Sequence, residues 1–79
     1  MKKIGLVGGI SWVSTIDYYQ LLNKGINDKL GGLNFAECII YSINFGELQK
    51  NGWPNSYQLL LNACKNLQYS KVDCIVLCA

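Results

Sequence analysis

The sequence predicts an α/β domain: a three-stranded parallel sheet in strand order 2-1-3, with helices on both faces. Two observations predict it. Three short apolar segments, KKIGLVG, FAECIIYSINF and DCIVLC, alternate with two longer segments whose apolar residues recur every three or four positions. The connections between successive strands are too long for hairpins, so they read as right-handed crossovers, which make the strands parallel. With the first strand in the middle, the two crossover helices fall on opposite faces.

Each element has its own local signal. KKIGLVG is partly β-branched and runs into the doublet Gly8-Gly9, which suits a buried strand ending in a tight turn. From about Ser11 to Leu30, Trp12, Ile16, Tyr19, Leu22, Ile26 and Leu30 line one face of a helix. Ser11 or Ser14 can cap its start, and Gly31-Gly32 can end it through a left-handed residue. FAECIIYSINF reads as a second strand with both faces covered. GELQKNGWPN is turn-like, with room for one short helical turn. From Asn55, the spacing of Tyr57, Leu60, Leu61, Cys64 and Leu67 is helical, with Asn55 and Gln58 as a partial capping box. DCIVLC is then the third strand. By topology it is an outer strand, although its composition is that of an inner one, so its free edge invites another strand, including that of a second copy.

At 79 residues the chain is one domain at most, and a body of this size buries only about 60% of its unfolded surface, so the core is expected to be thin. Hydrophobic residues at 51% and charged residues at 15% argue against disorder. The net charge of +2 comes from scattered lysines without arginine, which offers no basic stripe to nucleic acid. No segment approaches the length of a membrane span, and the glycines in MKKIGLVGGI interrupt a signal-peptide pattern. Cys38, Cys64, Cys74 and Cys78 lie within apolar periodic segments, as in a reduced cytoplasmic protein whose cysteines pack as small hydrophobes. With no histidine and no CxxC pair, no metal site is expected.

In an open parallel sheet, ligands bind beyond the carboxyl ends of the strands. GGISW, SINF and Cys78-Ala79 meet there. Gly5, Gly8 and Gly9 do not make a GxGxxG dinucleotide fingerprint, and Asn44 stands where an acidic residue would be sought. Gly9, Ile10 and Ser11 instead offer backbone N–H groups at a helix start, suited to a small carboxylate or phosphate. The plain alternative is that the glycines only let the turn form. Cys78 stands apart by position, at a strand exit where a thiolate can meet N–H donors and a ligand, whereas Cys38, Cys64 and Cys74 read as packing residues. Trp12, Tyr18, Tyr19, Trp53 and Tyr57 read as core packing or cover for helix faces.

With these residues in view, the sequence resembles the aspartate/glutamate racemase family, in particular its bacterial aspartate racemase group. IGLVGGISWVSTIDYYQLLNKGIND followed by LGGLNFAECIIYSINFGEL is similar to the family's opening pattern, and VDCIVLC to the strand that delivers its first catalytic cysteine. The resemblance implies a flavodoxin-like fold and a cofactor-independent racemase of two similar α/β domains. In it, two cysteines on opposite sides of the substrate's α-carbon exchange protons with it. Carried over, it makes Cys78 the first cysteine. It sets Gly9, Ile10 and Ser11 beside the carboxylates of aspartate or glutamate, Asn44 in the same cleft and Ala79 at the start of the substrate-holding residues.

The sequence also departs from the family. Val13 replaces an acidic residue, Asn44 an aspartate, Lys71 a glycine, and Ala79 a threonine or asparagine. Residues 1–79 are thus expected to form a partial α/β domain, the N-terminal piece of a two-domain racemase, without the second cysteine and inactive alone. Val13, Asn44 and Ala79 lean towards a decayed reading frame. The alternative is a noncatalytic α/β module that self-associates through its third strand or binds a small anion.

Overall fold

The computed structural model describes residues 1–50 and 52–78. Strand β1 (Ile4–Gly8), helix α1 (Trp12–Leu30), strand β2 (Cys38–Ser42), helix α2 (Phe45–Gln49), helix α3 (Gly52–Tyr69) and strand β3 (Cys74–Leu77) follow in chain order. The sheet is parallel in the order β2-β1-β3, as the crossover argument requires. Ile4 stands opposite both Cys38 and Cys74, and the registers run in step to Gly8 opposite Ser42 and Val7 opposite Leu77. Asp73 locks the start of β3: its carboxylate accepts from the Lys3 N–H at 2.6 Å while its own N–H donates to the Lys3 carbonyl at 2.7 Å.

Ser11 caps α1, its hydroxyl accepting from the Ser14 N–H at 3.3 Å. Gly31, at φ 71°, ends the helix with its N–H on the Asn27 carbonyl. The return loop is held by two asparagines. Asn27 Nδ2 donates to the carbonyls of Gly32 and Asn34, and Asn23 Oδ1 accepts from Ala36 N–H. Consequently β2 begins only at Cys38, three residues after the Phe35 where the composition places it, because Ile4 is the first β1 residue available to pair.

The turn-like segment after β2 differs more. It contains α2, and α3 starts at Gly52 rather than Asn55, with Pro54 in the first turn where a missing N–H costs nothing. Asn55 does not cap α3. Its Nδ2 donates to the carbonyls of Glu47 and Lys50, both at 2.7 Å, and Ser56 Oγ donates to the Leu48 carbonyl at 2.7 Å. These bonds satisfy the orphan carbonyls at the end of α2.

Successive strand residues point to opposite faces. Val7 packs with Ile43, Leu48, Ala63 and Leu67 on the α3 side, whereas a side chain at Gly8 would meet Thr15 of α1. The helices therefore lie on opposite faces, but they cover them unequally. Thr15 is the only α1 residue that is buried, and Trp12 is 68% and Ile16 54% exposed. One helix is about 10 Å wide and a five-residue strand about 17 Å long, so the 19-residue α1 overshoots the sheet it covers. The aromatic residues read as packing, Trp12, Tyr18, Tyr19, Trp53 and Tyr57, are all exposed. Trp53 and Tyr57 pack on each other instead, with ring centroids 6.3 Å apart.

All four residues of β3 are exposed, and Cys74 with them, which corrects its reading as a packing cysteine; the outer position leaves it uncovered. The described surface of 5505 Å² exceeds the roughly 4,800 Å² expected for a compact monomer of this mass. Likewise the radius of gyration is 13.7 Å against about 11.6 Å.

Lys71 follows α3 at φ 61°, the left-handed region in which a Cβ is strained. Its N–H still donates to the Gln68 carbonyl at 3.0 Å. Lys71→Gly is expected to raise stability by about 0.5–1 kcal/mol, the relief being partly offset by glycine's greater freedom when unfolded. A higher urea midpoint at an unchanged m-value is the result to look for.

Candidate active site

Three chain segments converge at the carboxyl edge of the sheet: the turn after β1, the end of β2, and the residue that leaves β3. The Gly8–Gly9 peptide sits at the centre. Its carbonyl accepts from the Ile43 N–H at 2.8 Å, and its N–H donates to Thr15 Oγ1 at 3.1 Å in a buried bond. Gly9 adopts φ 86°, and a Cβ there would overlap the Ile43 carbonyl oxygen and stand 2.6 Å from the Ile43 nitrogen. A Cβ on Gly8 would stand 2.5 Å from Thr15 Cγ2 and 2.7 Å from Oγ1. Both glycines are thus required by close approach, one to the end of β2 and the other to the first turn of α1.

Of the three N–H groups expected to face a ligand, that of Gly9 is taken internally by Thr15, which corrects the reading of Gly9 as a donor. Those of Ile10 and Ser11 have no hydrogen-bond partner among the described residues, and neither do those of Trp12 and Val13. The Ser11 hydroxyl is occupied as the cap of α1.

Cys78 is fully buried, and its N–H donates to the Val7 carbonyl at 2.9 Å, one rung beyond the end of β3. By strand alternation its side chain follows Val76 onto the face of Leu6 and Gly8, beneath the start of α1. Leu6 and Cys78 are buried yet stand outside the cluster that α3 builds, which agrees with that face. Burial pushes the Cys78 thiol above the ordinary thiol range, and does the same to Cys38. The resting group is therefore a thiol, not the stabilised thiolate expected from its position.

Asn44 caps α2, with Oδ1 accepting from the Gly46 N–H at 3.0 Å. It also lines a depression of about 220 Å³ together with Tyr41, Ile43, Glu47, Leu59 and Asn62. That depression lies on the α3 side of β2 and includes neither Cys78 nor the Gly9–Ser11 turn. Ala79 lies outside the described residues. Among the described residues no group of three potential metal ligands occurs, and no helix is long and apolar enough to cross a membrane. Thr15 is the residue that sequence reasoning missed. The available signal was a β-branched hydroxyl four residues after the cap Ser11, on the helix side that faces the sheet.

The fold class is α/β, with a glycine turn and a buried thiol at the carboxyl edge of its parallel sheet. No family model matches the chain. Solved structures do. An Asp/Glu racemase candidate from Yersinia pestis is 42% identical and superposes with a TM-score of 0.93. An aspartate racemase homologue from Pyrococcus horikoshii is 37% identical, with a TM-score of 0.92. Each comparison covers 100% of this chain and 36% of the other. The chain belongs to the aspartate/glutamate racemase family and spans 36% of the length of these two members.

The raised thiols carry a pH dependence. In the unfolded chain Cys38 and Cys78 ionise near pH 8.5 or so, while in the fold they keep their protons to higher pH. Above that range the unfolded state binds fewer protons, so stability is fully present below about pH 8.5 and falls as pH rises beyond it. Thermal unfolding scans are expected to show this decline, and Cys78→Ala to flatten it.

Proposed function

We propose that this chain supplies one side of the active site of a cofactor-independent racemase for aspartate or glutamate. Cys78 is one of its two acid/base sulfurs. The observation that carries the reading is the fully buried thiol at the exit of β3, beside the glycine turn, in a chain 42% identical to an Asp/Glu racemase candidate. The α-proton of an amino acid is weakly acidic, and inverting the centre requires a base on one face and an acid on the other. A thiol kept protonated by burial suits the acid. As a second sulfur removes the α-proton from the far face, the Cys78 S–H delivers its proton to the near face and is left as thiolate; the reverse reaction exchanges the roles.

Negative charge then develops on the substrate and needs donors already in place. The open N–H groups of Ile10 and Ser11 are the proposed carboxylate donors, with Gly9 shaping the wall beside them. Asn44, whose Oδ1 is engaged with Gly46, is the proposed rim donor through its Nδ2, and Ala79 is proposed as a further substrate-binding residue. Among the described residues no second cysteine lies at this edge: Cys38 and Cys74 stand opposite Ile4 at the other end of the strands, and Cys64 lies in α3. By itself the 79-residue chain therefore holds one half of a two-base relay.

Incubation with L-aspartate or L-glutamate in deuterated water tests this reading. The expected result is no α-deuterium and no D-enantiomer, but protection of Cys78 from alkylation by one of the two amino acids. Deuterium incorporation that Cys78→Ser abolishes would overturn the one-half relay, and absence of protection by either amino acid would overturn the site.

The exposure of every β3 residue supports a second proposal, that two copies join through the outer edge of this strand. Sedimentation velocity over a concentration series is expected to show a reversible dimer that Val76→Lys weakens; a monomer throughout would dismiss it.

A further inference from the structure

We infer that Thr15 is the positioning residue of this site, its hydroxyl fixing the Gly9–Ser11 turn against Cys78; the inference rests on the proposed racemase reading for its ligand but on geometry for its mechanism. The hydroxyl makes two bonds. It accepts from the Gly9 N–H at 3.1 Å and donates to the Ser11 carbonyl at 3.0 Å, and that same carbonyl also accepts the Thr15 N–H at 3.0 Å. Thr15 is the one buried polar residue among the described residues, only 8% exposed.

These bonds act on particular peptide planes. The Gly8–Gly9 plane is held at both ends, through its carbonyl by the Ile43 N–H and through its N–H by Thr15. The Ser11–Trp12 plane is held through its carbonyl by both the N–H and the O–H of Thr15. Between the two fixed planes lie the peptides that carry the open N–H groups of Ile10 and Ser11. Their direction is thereby set from both sides by one side chain.

The same side chain stands over Gly8, and continuing the β1–β3 register one rung past Val7 and Leu77 brings Cys78 opposite Gly8, about 4.8 Å away by strand spacing and on the same face. Thr15 therefore stands on the Gly8 rung, between the turn that carries the open N–H groups and the strand that ends at Cys78. A valine would keep its shape but leave the buried Gly9 N–H without an acceptor, a penalty that the turn can relieve only by rotating out of place.

The test compares wild type, Thr15→Val and Thr15→Ser by alkylation with iodoacetamide, resolved by mass spectrometry at each of the four cysteines, across pH and with or without L-aspartate or L-glutamate. In Thr15→Val the Cys78 rate is expected to rise about tenfold and protection by the amino acid that protects wild type to weaken about tenfold, the equivalent of one buried hydrogen bond. Cys38 and Cys64 are expected to keep their wild-type rates, and Thr15→Ser to restore Cys78. An unchanged Cys78 in Thr15→Val, or an equal acceleration at Cys38, Cys64 and Cys78, would overturn the inference by making Thr15 a core residue only. If wild-type Cys78 is protected by neither L-aspartate nor L-glutamate, the amino-acid reading fails, while selective acceleration at Cys78 still supports the positioning role of Thr15. Should Thr15→Val not fold, hydrogen exchange in wild type decides. A Gly9 amide that exchanges as fast as those of Ile10 and Ser11 would show that the hydroxyl holds nothing, and a markedly slower one would support the assignment.

Discussion

The structure hangs on one peptide plane, that between Gly8 and Gly9. Its oxygen receives the first N–H beyond β2 and its nitrogen gives its hydrogen to α1, so strand, strand and helix meet through a single amide. Neither residue tolerates a Cβ: at Gly8 it would enter Thr15, and at Gly9 it would enter the Ile43 backbone. The close approach does more than form a turn. It draws the start of α1 down onto the sheet, and so brings the open N–H groups of Ile10 and Ser11 to the edge where Cys78 leaves β3.

The remaining energetics are lopsided. On one face α2 and α3 close over Val7, Ile39, Tyr41 and Ile43 to give the molecule its core. On the other, α1 is anchored chiefly at its first turn, by Thr15, and through Asn23 and Asn27 at the return loop. Hydrogen bonds thus hold α1 in place where apolar contact is sparse. At about 25 cal/mol per Å² of apolar surface, the uncovered stripe of Trp12, Ile16 and Tyr19 is stabilisation not realised by residues 1–78 on their own. The same holds for β3, whose Ile75, Val76 and Leu77 are open to solvent.

Much of this was legible in the sequence because it depends on periodicity and punctuation. The strand order, the crossovers, the Ser11 cap and the Gly31 stop all follow from local signals and chain connectivity. What escaped depends on partners distant in sequence. Asn55 has the residue type and spacing of a cap, but its side chain serves the carbonyls of another helix. The stripe on α1 has the pattern of a buried face, yet periodicity states which residues share a side and not whether anything covers it. At the site, Cys78 was placed by its position after an apolar strand. Thr15 was not, because its importance comes from Gly8 having no side chain and Gly9 having a donor to satisfy.

The burial of Cys78 bears on how a site of this kind must operate. A sulfur held as a thiol is poorly nucleophilic, and on the proposed reading this guards a site with no use for covalent attack and keeps the proton ready for a carbanion-like centre. Yet the proton must leave when the substrate needs it, and the thiolate then formed is disfavoured by the same burial. On the proposed reading the N–H groups at the start of α1 serve the substrate, lowering the energy of the negative charge that develops on it before the proton arrives. A site built this way depends less on a low thiol pKa than on keeping those donors aimed, and the side chain placed to aim them is Thr15.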